Sequence, residues 1–132
     1  MITSLSNPQV KYLVRLRERR ERDRSGLFLI EGYRELLRAK EGGVDIVETY
    51  VSPDHFLGTN EEALLEGLPR TDVSAAAFNK VSYRDRPDGL LAIARQQRRT
   101  LADLQPCEAP LYLIAESIEK PGNLGSMLRS CD

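Results

Sequence analysis

Apolar residues in this chain recur first at helical spacing and then in short continuous runs. Val10, Leu13 and Val14 fall on one face of a helix that begins at Pro8, where the missing N–H of proline costs nothing. We expect a single helix over residues 8–25, ended by a Ser-Gly pair, although its second half is almost purely charged. One end of this helix should pack against a core while the other projects into water.

Short apolar runs separated by helical patterns follow this first helix. Runs typical of strands occupy residues 27–30, 44–51, 71–73 and 90–94. Helical patterns occupy residues 33–40, the segment after an S/T-x-x-E capping box at Thr59–Glu62, and residues 75–81. This alternation predicts an α/β sandwich over residues 1–95, in which Glu31 and Gly32 form a structural corner.

The composition changes after residue 95. Residues 96–110 contain two prolines and few apolar positions, which is typical of a linker. Residues 111–115 predict a new buried strand, and a loop and the start of a helix follow up to Asp132. Because one strand and one helix cannot bury both of their faces, we expect the partners of residues 111–132 to lie in sequence beyond Asp132.

Charge is sorted along the chain, although the net charge is only −1. Residues 11–24 include seven basic and three acidic residues, whereas residues 39–75 include two basic and eight acidic residues. Such sorting can present a basic face to the phosphates of a nucleic acid. The candidates for this contact are the basic residues of the first predicted helix, Lys11, Arg15, Arg17, Arg19, Arg20, Arg22 and Arg24.

Composition gives less support to other classes of function. The apolar content of 41% supports a folded core, and no apolar run approaches the ~20 residues of a membrane span. Cys107 and Cys131 have no metal-binding spacing, which fits a reduced, cytosolic protein without a metal, and we expect Cys131 to be a packing residue. His55, the only histidine, is expected to be a surface residue of a loop and not a general base.

A predicted turn between a strand and a helix carries the candidate chemistry. Pro121 and Gly122 supply the turn, Asn123 is placed to cap the helix, and Gly125 permits the close approach of a ligand. Arg129 is expected to point from the first turns of the helix toward the carboxyl end of the sheet, where its planar guanidinium suits a phosphate. An ordinary turn with a capping Asn and a surface Arg is the alternative interpretation of this spacing.

Ordered segments over essentially the whole chain identify the family that it resembles. They are Thr3–Lys11, Phe28–Gly32, Pro87–Ala92 and the motif Pro121-Gly122-Asn123-Leu124-Gly125 with Arg129. This set resembles the SpoU/TrmH branch of the SPOUT RNA methyltransferases. The resemblance implies an L30e-like α/β/α sandwich that binds substrate, then the first strand and helix of a trefoil-knot methylase domain, truncated after its first motif.

The resemblance also implies a function and the roles of individual residues. The whole enzyme would use S-adenosylmethionine to methylate a ribose 2′-hydroxyl of structured RNA, taken to be 23S ribosomal RNA, as a homodimer joined through the methylase domain. Arg129 would help to activate the hydroxyl, and Asn123 would shape the same site. Lys120, where many relatives have Asp or Asn, adds a positive charge for RNA. The cofactor-binding motifs lie outside residues 1–132, so we expect this chain alone to be inactive and not to bind the cofactor.

Alternative interpretations remain for the basic segment and for the whole chain. A charge run of this kind is often only a solvated helix with internal Glu–Arg pairs. The whole chain could instead be a non-catalytic L30e-like RNA-binding module with a short tail, and sequence beyond Asp132 would discriminate the two. An unrelated nucleotide-binding α/β enzyme is less compatible, since the chain has neither a Walker A loop nor a Gly-x-Gly-x-x-Gly turn.

Overall fold

A computed structural model describes residues 1–131, which divide into a first unit, Met1–Gln97, and a second unit that begins at Arg98. The helices of the first unit are α1 (Pro8–Arg15), α2 (Arg19–Ser25), α3 (Tyr33–Glu41), α4 (Glu61–Leu65) and α5 (Ala75–Val81). Its strands are β1 (Leu27–Glu31), β2 (Ile46–Val51), β3 (Arg70–Asp72) and β4 (Leu90–Arg95). The second unit contains α6 (Pro121–Cys131). Two short 3-10 helices lie at Pro53–His55 and Leu101–Asp103.

The first unit is built on a four-stranded mixed sheet in the order β1-β4-β2-β3. Strand β4 is antiparallel to both β1 and β2, and β2 is parallel to β3. The chain start adds a bridge, because Ile2 pairs in parallel with Val73. This arrangement makes β4 a central strand, in which every residue from Leu90 to Ala94 is buried, and leaves β1 at one edge of the sheet.

Alternating residues of β4 divide the interior of the first unit into two cores. Leu91 and Ile93 join the core that contains the buried faces of α1 and α5, including Leu13 and Phe78. The other core takes in the buried faces of α3 and α4 and the opposite side of β4, at Leu90, Ala92 and Ala94. A sheet covered by helices on both faces confirms the α/β/α sandwich.

The first helix differs from its prediction, because residues 8–25 form two helices and not one. Helix α1 ends at Arg15, and the residue after it, Leu16, is fully buried in the core. The backbone then tightens through i to i+3 hydrogen bonds, and Glu18 takes an extended conformation (ψ 135°) before α2 starts. The residues after Leu16 are all charged up to Arg24, so a continuous helix would have no further apolar side chains to pack against the core. Tertiary burial therefore decides where α1 ends.

The corner predicted at Glu31 and Gly32 is present. Gly32 has φ +110°, a backbone conformation that side chains rarely adopt, and this favours glycine between the end of β1 and the start of α3. Glu31 is buried, and its carboxylate accepts hydrogen bonds from the Oγ of Ser82 and the backbone N–H of Tyr83. The corner therefore fixes the loop after α5 against the edge strand.

The second unit contradicts the strand predicted at residues 111–115. Leu111 is 97% exposed and Ile114 is 90% exposed, and this segment has no strand partner among residues 1–131. An apolar run becomes a strand only when a neighbouring strand accepts its backbone hydrogen bonds. Cys131 is also exposed among the described residues, so its role as a packing residue stays a prediction.

Candidate functional site

The predicted phosphate contacts separate into two groups. The residues that are exposed, here called the basic surface, are Lys11, Arg15, Arg19, Arg20 and Arg24. Lys11 and Arg15 lie four residues apart on α1, and Arg20 and Arg24 lie four apart on α2, so each pair shares one face of its helix. The other two predicted contacts, Arg17 and Arg22, are half-buried.

The carboxylate of Glu21 is influenced by the charges of arginines from both helices. Its carboxylate accepts a hydrogen bond from Nη2 of Arg24 at 2.5 Å, and this bond is the main reason why the pKa of Glu21 lies below its usual value. The charges of Arg24, Arg15 and Arg20 lower this pKa further, against a desolvation that raises it. Glu21 therefore pairs with one arginine, Arg24, while Arg15 and Arg20 add positive charge from α1 and α2.

Arg19 completes the basic surface with a weaker pairing. Its Nε lies 3.4 Å from Oδ2 of Asp23, and the two side chains are 88% and 59% exposed. An ion pair this exposed contributes little, since water screens it and two long side chains must be held in place. An incoming phosphate can therefore replace Asp23 as the partner of Arg19 at low cost.

Arg17 has a structural contact that the sequence did not indicate. Its Nη2 donates to the carbonyl oxygens of Lys80, at 3.3 Å, and of Val81, at the C-terminus of α5. Its guanidinium carbon also lies 5.8 Å from the centre of the Tyr83 ring. Positive charge is stabilised at a helix C-terminus, so Arg17 caps α5 and holds it against the junction of α1 and α2.

Arg22 makes a similar structural contact just after the end of α1. Its Nη1 donates to the carbonyl oxygens of Arg17 and Leu16, which the end of α1 leaves without helical partners. Gln96 adds its amide, which donates to the carbonyl oxygens of Arg22 and Leu27 at 3.2 Å each. The break between α1 and α2 is thus stabilised by the same arginines that were predicted to contact phosphate.

Tyr83 is a residue that sequence reasoning missed. It is 59% exposed, although its backbone N–H is held by Glu31 Oε2 at 3.2 Å and Arg17 lies over its ring. Partial desolvation raises the pKa of Tyr83, and the charge of Glu31 raises it further. The signal available in the sequence was an aromatic residue that follows a Ser in a charged loop. It points to a binding surface only once the fold places Arg17 over the ring.

The predicted capping box at Thr59–Glu62 is wrong. Helix α4 starts at Glu61, and the residue before it, Asn60, makes no side-chain capping bond. Glu61 itself turns back, and its Oε1 accepts from the backbone N–H groups of Leu57, at 3.1 Å, and Gly58, at 2.7 Å. Desolvation raises the pKa of Glu61, but these and other backbone hydrogen bonds outweigh it and leave the pKa below its usual value.

A polar cleft of about 530 Å³ opens beside this loop and the start of α3. Its charged lining residues are Arg34, Glu35, Glu61, Arg84 and Asp88. Nη2 of Arg84 lies 2.9 Å from Oε1 of Glu35, and its Nη1 lies 3.8 Å from Oδ2 of Asp88. Carboxylates of the cleft therefore already pair with one of its two arginines. With three carboxylates against two arginines, this cleft is a poor site for a phosphate.

His55 is partly exposed, and both nitrogens of its ring have neighbours. Its ring nitrogens each lie 3.0 Å from a neighbour, Nδ1 from the Oγ of Ser52 and Nε2 from the Oδ1 of Asn79. The ring centre lies 5.5 Å from that of Phe78 in the core. His55 is thus a partly exposed residue that ties the loop after β2 to α5.

The motif residues lie on α6, but not where the sequence predicted. Pro121 is the first residue of this helix, so Asn123 lies inside the first turn and does not cap it. Arg129 lies in the last turn, where its Nη2 approaches the Oγ of Ser126 at 3.2 Å. Six residues of helix separate Asn123 and Arg129 by about 9 Å along the axis and place them on different faces. Lys120, just before the helix, is exposed.

Residues 1–131 contain neither a metal-binding cluster nor a membrane-spanning helix. No group of three or more His, Cys, Asp or Glu side chains could hold a metal ion there. No helix in the same range is long and apolar enough to cross a bilayer.

The α/β/α sandwich presents exposed arginines from the adjacent helices α1 and α2. Residues 7–92 match the model of the MRM3-like substrate-binding domain, and the chain belongs to this family. The resemblance to the SpoU/TrmH methyltransferases is confirmed.

The relatives of the chain are RNA methyltransferases. The chain is 28% identical over 131 residues to the 23S rRNA (guanosine(2553)-2′-O)-methyltransferase RlmP of Bacillus subtilis, covering 99% of this chain and 50% of RlmP. The crystal structure of an RNA 2′-O ribose methyltransferase matches at 43% identity with a TM-score of 0.80, over 98% of this chain and 50% of that one. The chain thus spans about half the length of these proteins.

A second similar structure shares the fold. The SpoU methyltransferase AviRb from Streptomyces viridochromogenes, in complex with AdoMet (S-adenosylmethionine), has a TM-score of 0.79 at 22% identity. The match covers 96% of this chain and 49% of AviRb.

The residues around the motif do not fit S-adenosylmethionine as an enclosed ligand. The groove beside α6 measures about 310 Å³ and is lined by Glu116–Lys120 together with Asn123 and Met127. All of these residues except Ile118 are exposed. Small-molecule sites bury most of the ligand surface, and the described residues of this unit do not provide that burial.

Proposed function

We propose that this chain binds structured RNA as the substrate-binding part of an S-adenosylmethionine-dependent ribose 2′-O-methyltransferase. The observation that carries the proposal is the exposure of five basic residues, the basic surface, on the adjacent helices α1 and α2. The membership of a substrate-binding family supports it. The 23S rRNA named for the B. subtilis relative supports ribosomal RNA as the substrate.

The basic surface would bind the phosphate backbone and not the bases. Guanidinium groups make charge-assisted, two-pronged hydrogen bonds to phosphate oxygens, and each phosphate that is neutralised releases counterions. Contacts of this kind supply affinity and a strong salt dependence but little choice of sequence. The target would then be selected by the shape of the folded RNA.

In the whole enzyme, α6 would stand at the reacting ribose. A 2′-hydroxyl is a weak nucleophile, so methyl transfer needs a proton acceptor nearby and close alignment of the reacting atoms. We assign to Arg129 the activation of this hydroxyl together with the substrate phosphate, to Asn123 the shaping of the site, and to Lys120 a contact with RNA. Because Asn123 and Arg129 lie on different faces of α6, other parts of the enzyme would have to complete the site.

S-adenosylmethionine would supply the methyl group, but these residues would not hold it alone. We expect isothermal titration calorimetry of residues 1–132 with S-adenosylmethionine to show no tight binding; tight binding would contradict this part of the proposal. The proposal includes a homodimer formed through the methylase domain. It also includes a cytoplasmic location, which the two free cysteines support.

RNA binding can be tested by removing two charges from the basic surface. The probe is a fluorescein-labelled hairpin of 23S rRNA that contains the nucleotide corresponding to guanosine 2553, the target named for RlmP. Fluorescence anisotropy over a range of salt concentrations would compare the native chain with Arg19→Ala/Arg20→Ala. We expect weaker binding and a log–log salt slope that is smaller by about 2, since each phosphate contact contributes about 0.9.

A matched control removes the same charge elsewhere. Arg38 and Arg95 have side chains that are 81% and 65% exposed, and each forms one exposed ion pair. Arg38→Ala/Arg95→Ala should leave the affinity and the salt slope unchanged. Equal losses in both double variants, or no binding of the native chain at low salt, would contradict the proposal.

A further inference from the structure

A groove of about 380 Å³ runs beside the edge strand β1. It is lined by Leu16, Arg17, Arg22, Phe28, Leu29 and Tyr83. Its walls combine apolar side chains, two aromatic rings and two guanidinium groups, and no carboxylate lines it. The polar cleft at the start of α3 has the opposite character, since carboxylates outnumber arginines there.

One wall of this groove is a fixed aromatic surface. Tyr83 is 59% exposed, yet its backbone is held by the buried carboxylate of Glu31. Arg17 lies over the Tyr83 ring, and two carbonyl groups of α5 hold its guanidinium there. The Nε of Arg17 is buried and has no hydrogen-bond partner among residues 1–131. A planar cation held on an aromatic ring is a surface on which another flat ring can stack.

The charge around the groove favours a nucleic-acid ligand. Arg22, which lines the groove, belongs to the same helix as Arg19 and Arg20 of the basic surface. Phosphates bound by α2 would therefore bring a polynucleotide to the mouth of an apolar, aromatic groove. Proteins bind unpaired bases in this way, with cations on the backbone and aromatic side chains under the bases.

We propose that the groove beside β1 receives an unpaired nucleobase of the RNA, stacked against Tyr83 and Arg17. The inference rests on the proposed RNA binding and deepens it, because it names the form of RNA that the domain prefers. A base within a duplex is stacked on both faces and cannot enter. The domain thus selects an RNA element with a bulged or looped-out nucleotide, and the phosphates on either side of that nucleotide contact α2.

A second copy of this chain is the competing occupant. Strand β1 is at the edge of the sheet, and edge strands can pair with another chain. The strand is only five residues long, and it is followed by the tight corner at Gly32. Two arginines in the lining would also meet their own copies across a twofold axis, which disfavours this pairing.

The test uses two hairpin RNAs that differ only in one bulged 2-aminopurine nucleotide, which is absent from the fully paired hairpin. Anisotropy measures affinity, and 2-aminopurine fluorescence reports stacking. We expect the bulged hairpin to bind more tightly, with its fluorescence quenched on binding. Tyr83→Ala should weaken this binding about tenfold, since stacking of one base contributes about 1–3 kcal/mol. Tyr83→Phe keeps the ring and should bind like the native chain.

Tyr112 offers a matched control, because it is a tyrosine of similar exposure (54%) in the second unit. Tyr112→Ala should leave the fluorescence quenching and the affinity unchanged. Equal affinity for the two hairpins, unchanged fluorescence on binding, or native affinity in Tyr83→Ala would overturn the inference while leaving RNA binding intact. Sedimentation that shows a dimer lost in Tyr83→Ala would assign the groove to a second copy. Failure of both hairpins to bind would overturn the proposed function as well.

Discussion

The guanidinium of Arg17 donates a hydrogen bond to the carbonyl oxygen of Val81, which lies 64 positions later in the chain. This contact joins the junction of α1 and α2 to the C-terminus of α5, so an arginine in a basic run serves as a helix cap. It also holds Arg17 over Tyr83. An Arg17 variant would therefore not distinguish a loss of stability from a loss of RNA contact in a binding experiment.

Arg17→Ala should lower the free energy of unfolding by about 2 kcal/mol, because a charged hydrogen bond to partly buried carbonyl groups is lost. Urea denaturation followed by circular dichroism would measure the change. Arg19→Ala is the matched control, since the Arg19 side chain is 88% exposed and its removal should change stability by less than about 0.5 kcal/mol. Equal effects of the two substitutions would show that Arg17 does not act as a cap.

Gly89→Ala should be among the most damaging single changes in the first unit. Gly89 has φ +79°, and a Cβ there would lie 2.3 Å from the carbonyl oxygen of Ser52, which is backbone and cannot move aside easily. We expect a loss of about 3 kcal/mol or more in thermal or urea unfolding.

Gly43 separates the two causes of that loss. It also has a left-handed backbone (φ +67°), but a Cβ there would meet nothing within 4 Å. Gly43→Ala should therefore cost only the backbone strain, about 1 kcal/mol. If both alanine variants lost the same stability, the close approach of Gly89 to Ser52 would not be the cause.

Glu61→Gln should lower the free energy of unfolding at neutral pH and make it depend less on pH in the acid range. The pKa of Glu61 is lowered in the folded chain, so the folded state binds this proton less readily than the unfolded state does. The resulting stabilisation is present above the unfolded pKa and is lost as the pH falls through the folded pKa. The difference between native and variant chains in urea should therefore shrink as the pH is lowered into the acid range.

The control for this change is Glu66→Gln, at an exposed glutamate just after α4. It should alter stability by less than about 0.5 kcal/mol at neutral pH. A constant difference between Glu61→Gln and the native chain at every pH would rule out the ionised carboxylate as the source of the stabilisation.

Ser82→Ala should destabilise the corner that fixes Tyr83. The Oγ of Ser82 donates to the carboxylate of Glu31, which is only 1% exposed, and it also accepts from the backbone N–H of Arg84 at 3.0 Å. A buried carboxylate that loses a donor costs about 1–3 kcal/mol. Urea unfolding of Ser82→Ala against Ser4→Ala, an exposed serine, would measure it; a loss no greater than that of Ser4→Ala would contradict this role.

Strand β4 shows what can be predicted from sequence in this fold. Its unbroken apolar run, Leu90–Ala94, predicted a strand, and this strand lies in the centre of the sheet with both cores against it. The run at residues 111–115 is similar in the sequence and forms no strand, because its described neighbours offer no backbone partners. Local pattern thus predicts what a segment can become, and the neighbouring chain decides whether it does.

The sequence by itself determined the family, the α/β/α alternation and the concentration of arginines between residues 11 and 24, because these depend on residue type and order along the chain. Only the tertiary structure decided which arginines remain available to a phosphate. Arg17 and Arg22 are used to satisfy carbonyl groups at the ends of α5 and α1, whereas Arg15, Arg20 and Arg24 stay exposed. Those carbonyl acceptors belong to helix ends that packing creates, and no spacing of residues in the sequence reveals them.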